Sequence, residues 1–177
     1  MASIDEFKAY LDGGAARANQ FKVTFTVPGA IFGAVGLDST TASFLCKTAS
    51  LPGQTITDIP VNYRGRILYL AGDRTFDPWT TALINDTDFK LRNAFERWMS
   101  AINDLESSRG VTNVAAYTAD LRVEQLDRDG SVLKLYTFRG AYPQDLSPID
   151  LAYGSNDEIE RFQVTFAYQY YESNTTT

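Results

Sequence analysis

The chemistry-capable side chains in this 177-residue sequence are 22 Asp and Glu, one cysteine and a scatter of hydroxyls, because histidine is absent. Without histidine the commonest general base and metal ligand are missing, and so are the Ser/His and Cys/His nucleophile pairs. Cys46 lies in an apolar run, Phe44-Leu-Cys-Lys-Thr-Ala-Ser50, and reads as a buried small hydrophobe rather than a reactive thiol. Being single, it allows no intrachain disulfide. The acidic neighbours Asp127/Asp129 and Glu158/Glu160 fall at turns or strand starts, where solvated charge accounts for them. A glycosidase needs two inward carboxylates at a set separation, and no such pair stands out. Asp127-Arg-Asp-Gly130 looks like a fragment of a calcium loop but lacks the other oxygen ligands and the closing Glu, so a hairpin turn explains it. Gly13-Gly14 is no phosphate loop, since no strand precedes it and no Lys-Ser/Thr follows. The residues therefore read as a non-enzyme with no catalytic, cofactor-binding or metal-ligating set and no cofactor.

The elements around these residues read as one domain, 1–177, since the length suits a single core. Hydrophobic content of 44% and charged content of 21% are those of a soluble globular chain, and 13% aromatics lean towards β structure. The net charge of −6 is the wrong sign for a protein that grips nucleic acid. No basic segment leads into an apolar one at the start, and no apolar run nears the ~18 residues of a membrane span. The expectation is a protein kept in a reducing cytoplasm without a membrane anchor, where the sequons Asn85-Asp-Thr87 and Asn174-Thr-Thr176 carry no meaning.

In chain order, Ser3-Ile-Asp-Glu6 has capping-box form and starts a short helix with Ile4, Phe7 and Leu11 on one side, which Gly13-Gly14 ends. Phe21, Val23, Phe25 and Val27 alternate with polar residues, the mark of a half-buried strand. Residues 29–42, rich in Gly, Ala, Ser and Thr, read as a long surface loop, and 44–51 as a strand. A strand over 76–84 carries Trp79. The main helix is expected over 88–105, capped by Asn85, Asp86 or Thr87. Its apolar stripe would be Leu91, Phe95, Trp98, Met99, Ile102 and Leu105, with Lys90, Arg92, Glu96, Arg97 and Asp104 outward. After a loop at 107–116 come strands at 117–126 and 132–138, an irregular connection over 140–154, and a last strand over 159–171. Residues 1–15 and the polar tail 173–177 read as frayed or as contacts between subunits. The sum is mainly β with one main α-helix: an antiparallel sandwich or partly closed barrel with the helix packed on one side.

The organising stretch is 51–72. Its two β-type arms over 57–72 meet at Tyr63-Arg-Gly-Arg66 and carry apolar residues on both faces, Ile56, Ile59, Val61 and Tyr63 outward, then Ile67, Leu68, Tyr69 and Leu70 returning. Seven residues per arm at ~3.3 Å would project roughly 23 Å. Pro60 lacks an N–H and implies an edge. Arg64 and Arg66 beside Gly65 serve either solubility or pairing with acids on another copy. An apolar hairpin of this length needs a cover. The candidate self-association residues are thus Ile59, Pro60, Val61, Tyr63, Arg64, Gly65, Arg66, Ile67 and Tyr69.

Several segments, in order, resemble the major tail tube proteins of contractile-tailed bacteriophages. These are Leu51-Pro-Gly-Gln54 running into Ile59-Pro-Val-Asn-Tyr-Arg-Gly-Arg66, Leu70-Ala-Gly-Asp-Arg-Thr-Phe76, and Phe95-Glu-Arg-Trp98 in the helix. Towards the end come Phe138-Arg-Gly-Ala-Tyr-Pro143, Leu146-Ser-Pro148, Asp157-Glu-Ile-Glu-Arg-Phe162 and Val164-Thr-Phe-Ala-Tyr168. The resemblance spans roughly 15–172. It implies the phage tail tube fold and a structural subunit of the virion, assembled in the bacterial host cytoplasm into stacked hexameric rings. Strands of each copy would form a continuous barrel, and neighbouring copies would cover the hairpin. The implied partners are the chain itself, a contractile tail sheath protein, and baseplate and tail-terminator proteins. Genomic DNA would pass through an acidic channel without specific binding. Tubes of type VI secretion and of extracellular contractile injection systems are the alternative, and a small β-barrel holding an apolar ligand is a remoter one.

Overall fold

The computed structural model describes residues 4–10, 14–154 and 156–176. Ser3, Leu11 and Gly13, invoked above for the first helix, lie outside them. The first helix, α1 (Ile4–Tyr10), buries none of its residues. In β1 (Phe21–Thr24) the alternation does what period two demands: Val23 and the following Phe25 are buried, while Lys22 is exposed.

Residues 29–42 are not a loop. They form α2 (Phe32–Val35) and the start of α3 (Ser39–Leu45), and Ile31, Val35, Leu37 and Ala42 are buried. The small, hydroxyl-rich composition hid Ile31 and Val35, which stand one helical turn apart, and the cap at Asp38. The Asp38 carboxylate accepts from the Thr41 hydroxyl and from the Thr40 backbone N–H at 3.0 Å, and these bonds hold it below the usual carboxylate range. Phe44 and Leu45 consequently belong to the helix, and the strand β2 (Cys46–Ala49) is shorter than expected.

Next come β3 (Thr55–Tyr63) and β4 (Arg66–Thr75), then β5 (Trp79–Ile84) and α4 (Lys90–Ile102). α4 starts after Phe89 in the left-handed region (φ 53°), with Asp86 Oδ1 accepting from the Lys90 N–H at 3.0 Å. It buries Leu91, Phe95 and Trp98 of the expected stripe together with Ala94, while Met99 and Ile102 are half-buried. It ends at Ile102 rather than 105, so Leu105 is 96% exposed and not on the stripe. Arg92 also departs from expectation, folding back instead of outward. Its Nε donates to Glu96 at 2.8 Å and its Nη1 to the Ser147 carbonyl at 2.6 Å, with the guanidinium 5.5 Å from the Phe162 ring centre.

A short α5 (Val114–Tyr117) precedes β6 (Ala119–Leu126), which turns through Asp127 to Gly130 into β7 (Val132–Leu146). β7 is the main surprise. Its 15 residues run on to Leu146, through the first half of the stretch expected to be irregular. Ala119 pairs with Ala141 and Leu121 with Phe138, so β7 carries one extra residue at Gly140, whose φ of 62° suits glycine. This bulge bends β7 and lets it serve two half-sheets. Before the bend it pairs with β6 and β9 (Tyr170–Ser173); beyond it, with β8 (Arg161–Ala167). The final strand expected over 159–171 is thus two strands. Gln169 donates to the Arg139 carbonyl at the switch, and Arg139 bridges Asp120 on β6 and Glu172 on β9. Ser173 closes β9 and is buried, and Asn174 donates to the Leu135 carbonyl, so the strand reaches into the expected tail.

The strand order is β1-β6-β7-β8-β5-β2 with β9 on β7, and every pairing is antiparallel. Trp79 of one half-sheet stacks on Phe138 of the other at 4.4 Å, and Phe95 from α4 meets Phe25, Phe162 and Phe166 edge-on. The open edges β1 and β2 are both contacted by α3, so the sheet closes only in part. The expected mainly β architecture with a flanking helix is therefore the one that forms.

Candidate assembly interface

β3 and β4 belong to neither half-sheet. Among the described residues they pair only with each other, in register from Asp58↔Ala71 to Tyr63↔Arg66. The two central turn residues, Arg64 and Gly65, both have positive φ (45° and 80°), the geometry that matches strand twist in a two-residue hairpin loop. The arms start at Thr55 and end at Thr75, beyond the expected 57–72, and nine residues at ~3.3 Å give a reach of roughly 30 Å. All nine candidate residues, Ile59 through Tyr69, sit on this one ribbon. Both of its arms are edges, so Pro60, opposite Tyr69, is tolerated as the sequence implied.

The two faces are unequal, which the spacing alone did not reveal. Register and alternation place Ile59, Val61, Leu68 and Leu70 on one face with Tyr63 and Arg66 near the tip. The other holds Asp58, Pro60, Asn62, Ile67, Tyr69 and Ala71. None of Ile56, Ile59, Val61, Tyr63, Ile67, Leu68, Tyr69 or Leu70 is less than 41% exposed. Arg64 lies 5.3 Å over the Tyr63 ring, and among the described residues neither Arg64 nor Arg66 forms an ion pair.

The root of the hairpin is anchored. Phe76, directly after β4, packs on Tyr168 at 5.9 Å and Tyr171 at 5.5 Å, and Trp79 Nε1 donates to the Ser50 carbonyl at 2.7 Å. Burial pushes the Tyr168 phenol up to about 12. Sequence reading missed this collar because Phe76 and Tyr168 meet only when the last strand breaks.

Cys46 is buried as expected, and burial pushes its thiol up to about 12. A free thiol titrates near ~8.5, so the folded state holds the proton more tightly and loses stability as pH rises above that value. At pH 8 the folded thiolate fraction falls roughly a thousandfold, and iodoacetamide should label Cys46 correspondingly slowly until denaturant is added. Rapid native labelling would contradict this placement. No group of three or more His, Cys, Asp or Glu among the described residues is arranged to hold a metal ion, and no helix among them is long and apolar enough to cross a membrane.

A lone two-stranded ribbon is marginal in water, and an apolar patch of this kind marks a contact surface. Here the ribbon is anchored to the partly closed barrel through Phe76. The chain belongs to the phage tail tube protein family, whose model matches residues 16–174. It is 32% identical over 169 residues to tail tube protein gp19 of Enterobacteria phage T4, covering 95% of this chain and 98% of that one. It is 31% identical to the tail tube protein of Serratia phage KSP90, covering 95% of each. In fold it is similar to a chain in the anti-feeding prophage tube-terminating cap, with a TM-score of 0.66, 17% identity and 90% and 91% coverage. A chain in the sheath–tube complex of an extracellular contractile injection system gives 0.57, at 14% identity and 98% and 99% coverage. The chain is thus a β-rich structural protein of contractile phage tails.

Proposed function

We propose that this subunit assembles into hexameric rings that stack as the inner tube of a contractile tail, with the hairpin as the joint between copies. The observation that carries this reading is the anchored ribbon with both faces bare, in a chain of the tail tube family. Ile59, Pro60, Val61, Tyr63, Arg64, Gly65, Arg66, Ile67 and Tyr69 make the contact. Six copies at −6 each give −36 per ring, and a channel of that sign repels the DNA backbone and lets the genome slide without specific binding. A sheath surrounds the tube, a baseplate and a terminator close its ends, and assembly takes place in the host cytoplasm. The fold is shared with extracellular injection machines, but the sequence identity is to phage proteins, which favours DNA as cargo.

Concentrated purified protein should show rings or tubes with an open centre in electron micrographs. A strictly monomeric particle at every concentration, with no tube on addition of tail baseplates, would overturn the reading.

A further inference from the structure

Resting on that reading, we infer that the arginine tip of the hairpin docks in the acidic groove between residues 148–152 and 158–161 of a second copy. The tip is cationic and unpaired. Residues 60–72 contain Arg64 and Arg66 and no acid, with the exposed Tyr63 ring beside them. Its partner must offer negative charge and an apolar bed for the ring.

Five clefts among the described residues can be compared by charge and lining. The one of about 400 Å³ at Asp38, Asp88, Lys90 and Arg97 balances two acids with two bases. The one of about 350 Å³ at Asn85, Asp86, Phe89 and Glu160 lacks an aliphatic bed and has its Glu160 held by Asn85. The cleft of about 740 Å³ between β1, α3 and β2 is rimmed by Lys22 and Lys47 and repels an arginine tip. The cleft of about 590 Å³ between α4 and β7 has one cation and one anion, Arg92 and Glu96, already paired with each other. The groove of about 400 Å³ between the end of β7 and the start of β8 is lined by Asp150, Glu158 and Glu160 against the single base Arg161. Its apolar bed is Ile149, Leu151 and Ile159, the last two well exposed. Glu160 is fixed by the Asn85 amide at 2.8 Å, whereas Asp150 and Glu158 form no ion pair among the described residues.

A tip with two cations outside any ion pair and an aromatic ring therefore finds both its charge complement and an aliphatic bed in the groove between residues 148–152 and 158–161. In the inferred stack the tip of one copy meets the groove of the next. Opposite charges at such a rim steer encounter and fix register more than they add affinity, which is what ring-on-ring alignment needs.

The test is charge reversal on both sides, read as the critical concentration for tube formation by sedimentation. Arg64→Glu with Arg66→Glu, and separately Asp150→Lys with Glu158→Lys, should each raise it at least about tenfold, and added salt should raise it for the wild type. Combining all four substitutions, or mixing the two variants in equal amounts, should restore tubes. All four positions are exposed, and unchanged near-ultraviolet circular dichroism verifies the fold. If the tip variant fails to stack while the groove variant stacks normally, the groove belongs to another occupant and the inference is overturned, with the tube reading intact. Failure of the combined variant to recover overturns it as well. Wild-type protein that forms no tube sinks the tube reading itself.

Discussion

Shortening the hairpin so that Asp58 joins Ala71 through an Asn-Gly turn should abolish tubes and leave a folded subunit. Asp58 and Ala71 are paired in the ribbon, so the shorter loop preserves register and supplies a turn suited to a two-residue hairpin. The excised segment contains Ile59, Val61, Tyr63, Ile67, Leu68, Tyr69 and Leu70, all exposed and none part of the core cluster. Its removal therefore takes almost nothing from the subunit, and the melting temperature should move by no more than a few degrees. Assembly is different. Burying side chains of this size is worth about 1.5–3 kcal/mol each, and partial burial of seven exceeds 4 kcal/mol even after ordering costs. Every ~1.4 kcal/mol is a factor of ten, so the critical concentration should rise a thousandfold or more, out of the accessible range. Sedimentation velocity and micrographs check it. Normal tubes from the shortened protein would mean the joint lies elsewhere.

Trp79→Ala should have the opposite signature, destabilising the subunit itself rather than the contact between copies. Trp79 is 2% exposed, stacks on Phe138 and touches Phe25 and Phe166. It also donates to the Ser50 carbonyl at 2.7 Å, which the substitution leaves without its donor. Removing a core tryptophan costs about 3–5 kcal/mol, a large share of the ~5–15 kcal/mol that holds a domain together. At roughly 2–4 °C per kcal/mol for a chain of this length, the melting temperature should fall by about 6–20 °C. Trp79→Phe, which retains the stack and loses only the indole N–H, should recover most of this. A loss below 1 kcal/mol for the alanine variant would show that the two half-sheets do not meet through this ring.

Much of this is legible in the amino-acid sequence alone. The alternation survives in the burial of Val23 and Phe25, although β1 stops at Thr24, and Leu91, Phe95 and Trp98 of the stripe are buried, because a strong periodicity needs only one buried face to be realised. The Asp127–Gly130 turn survives because its chemistry is local. The stretches misread share a different cause. Residues 29–42 carry a weak helical signal and become helical because Ile31, Val35 and Leu37 find the core. Residues 140–146 contain Gly140 and Pro143, both strand-breaking by propensity, yet stay extended because β8 pairs with them and the bulge absorbs the glycine. Leu105 continues the helical spacing in sequence, but the helix stops at Ile102, where Asn103 turns extended.

The sequence by itself determined the absence of histidine chemistry, the β-rich class, the apolar hairpin and its turn, since composition and short-range spacing specify these without reference to distant partners. Only the tertiary structure decided that β7 bends to serve two half-sheets, that the last strand splits, and that Ile59, Val61, Leu68 and Leu70 share one face of the ribbon. It also decided which cleft carries the acidic rim. Each of these depends on register between segments far apart in the chain, and a one-residue bulge or slip reverses the face that every side chain presents.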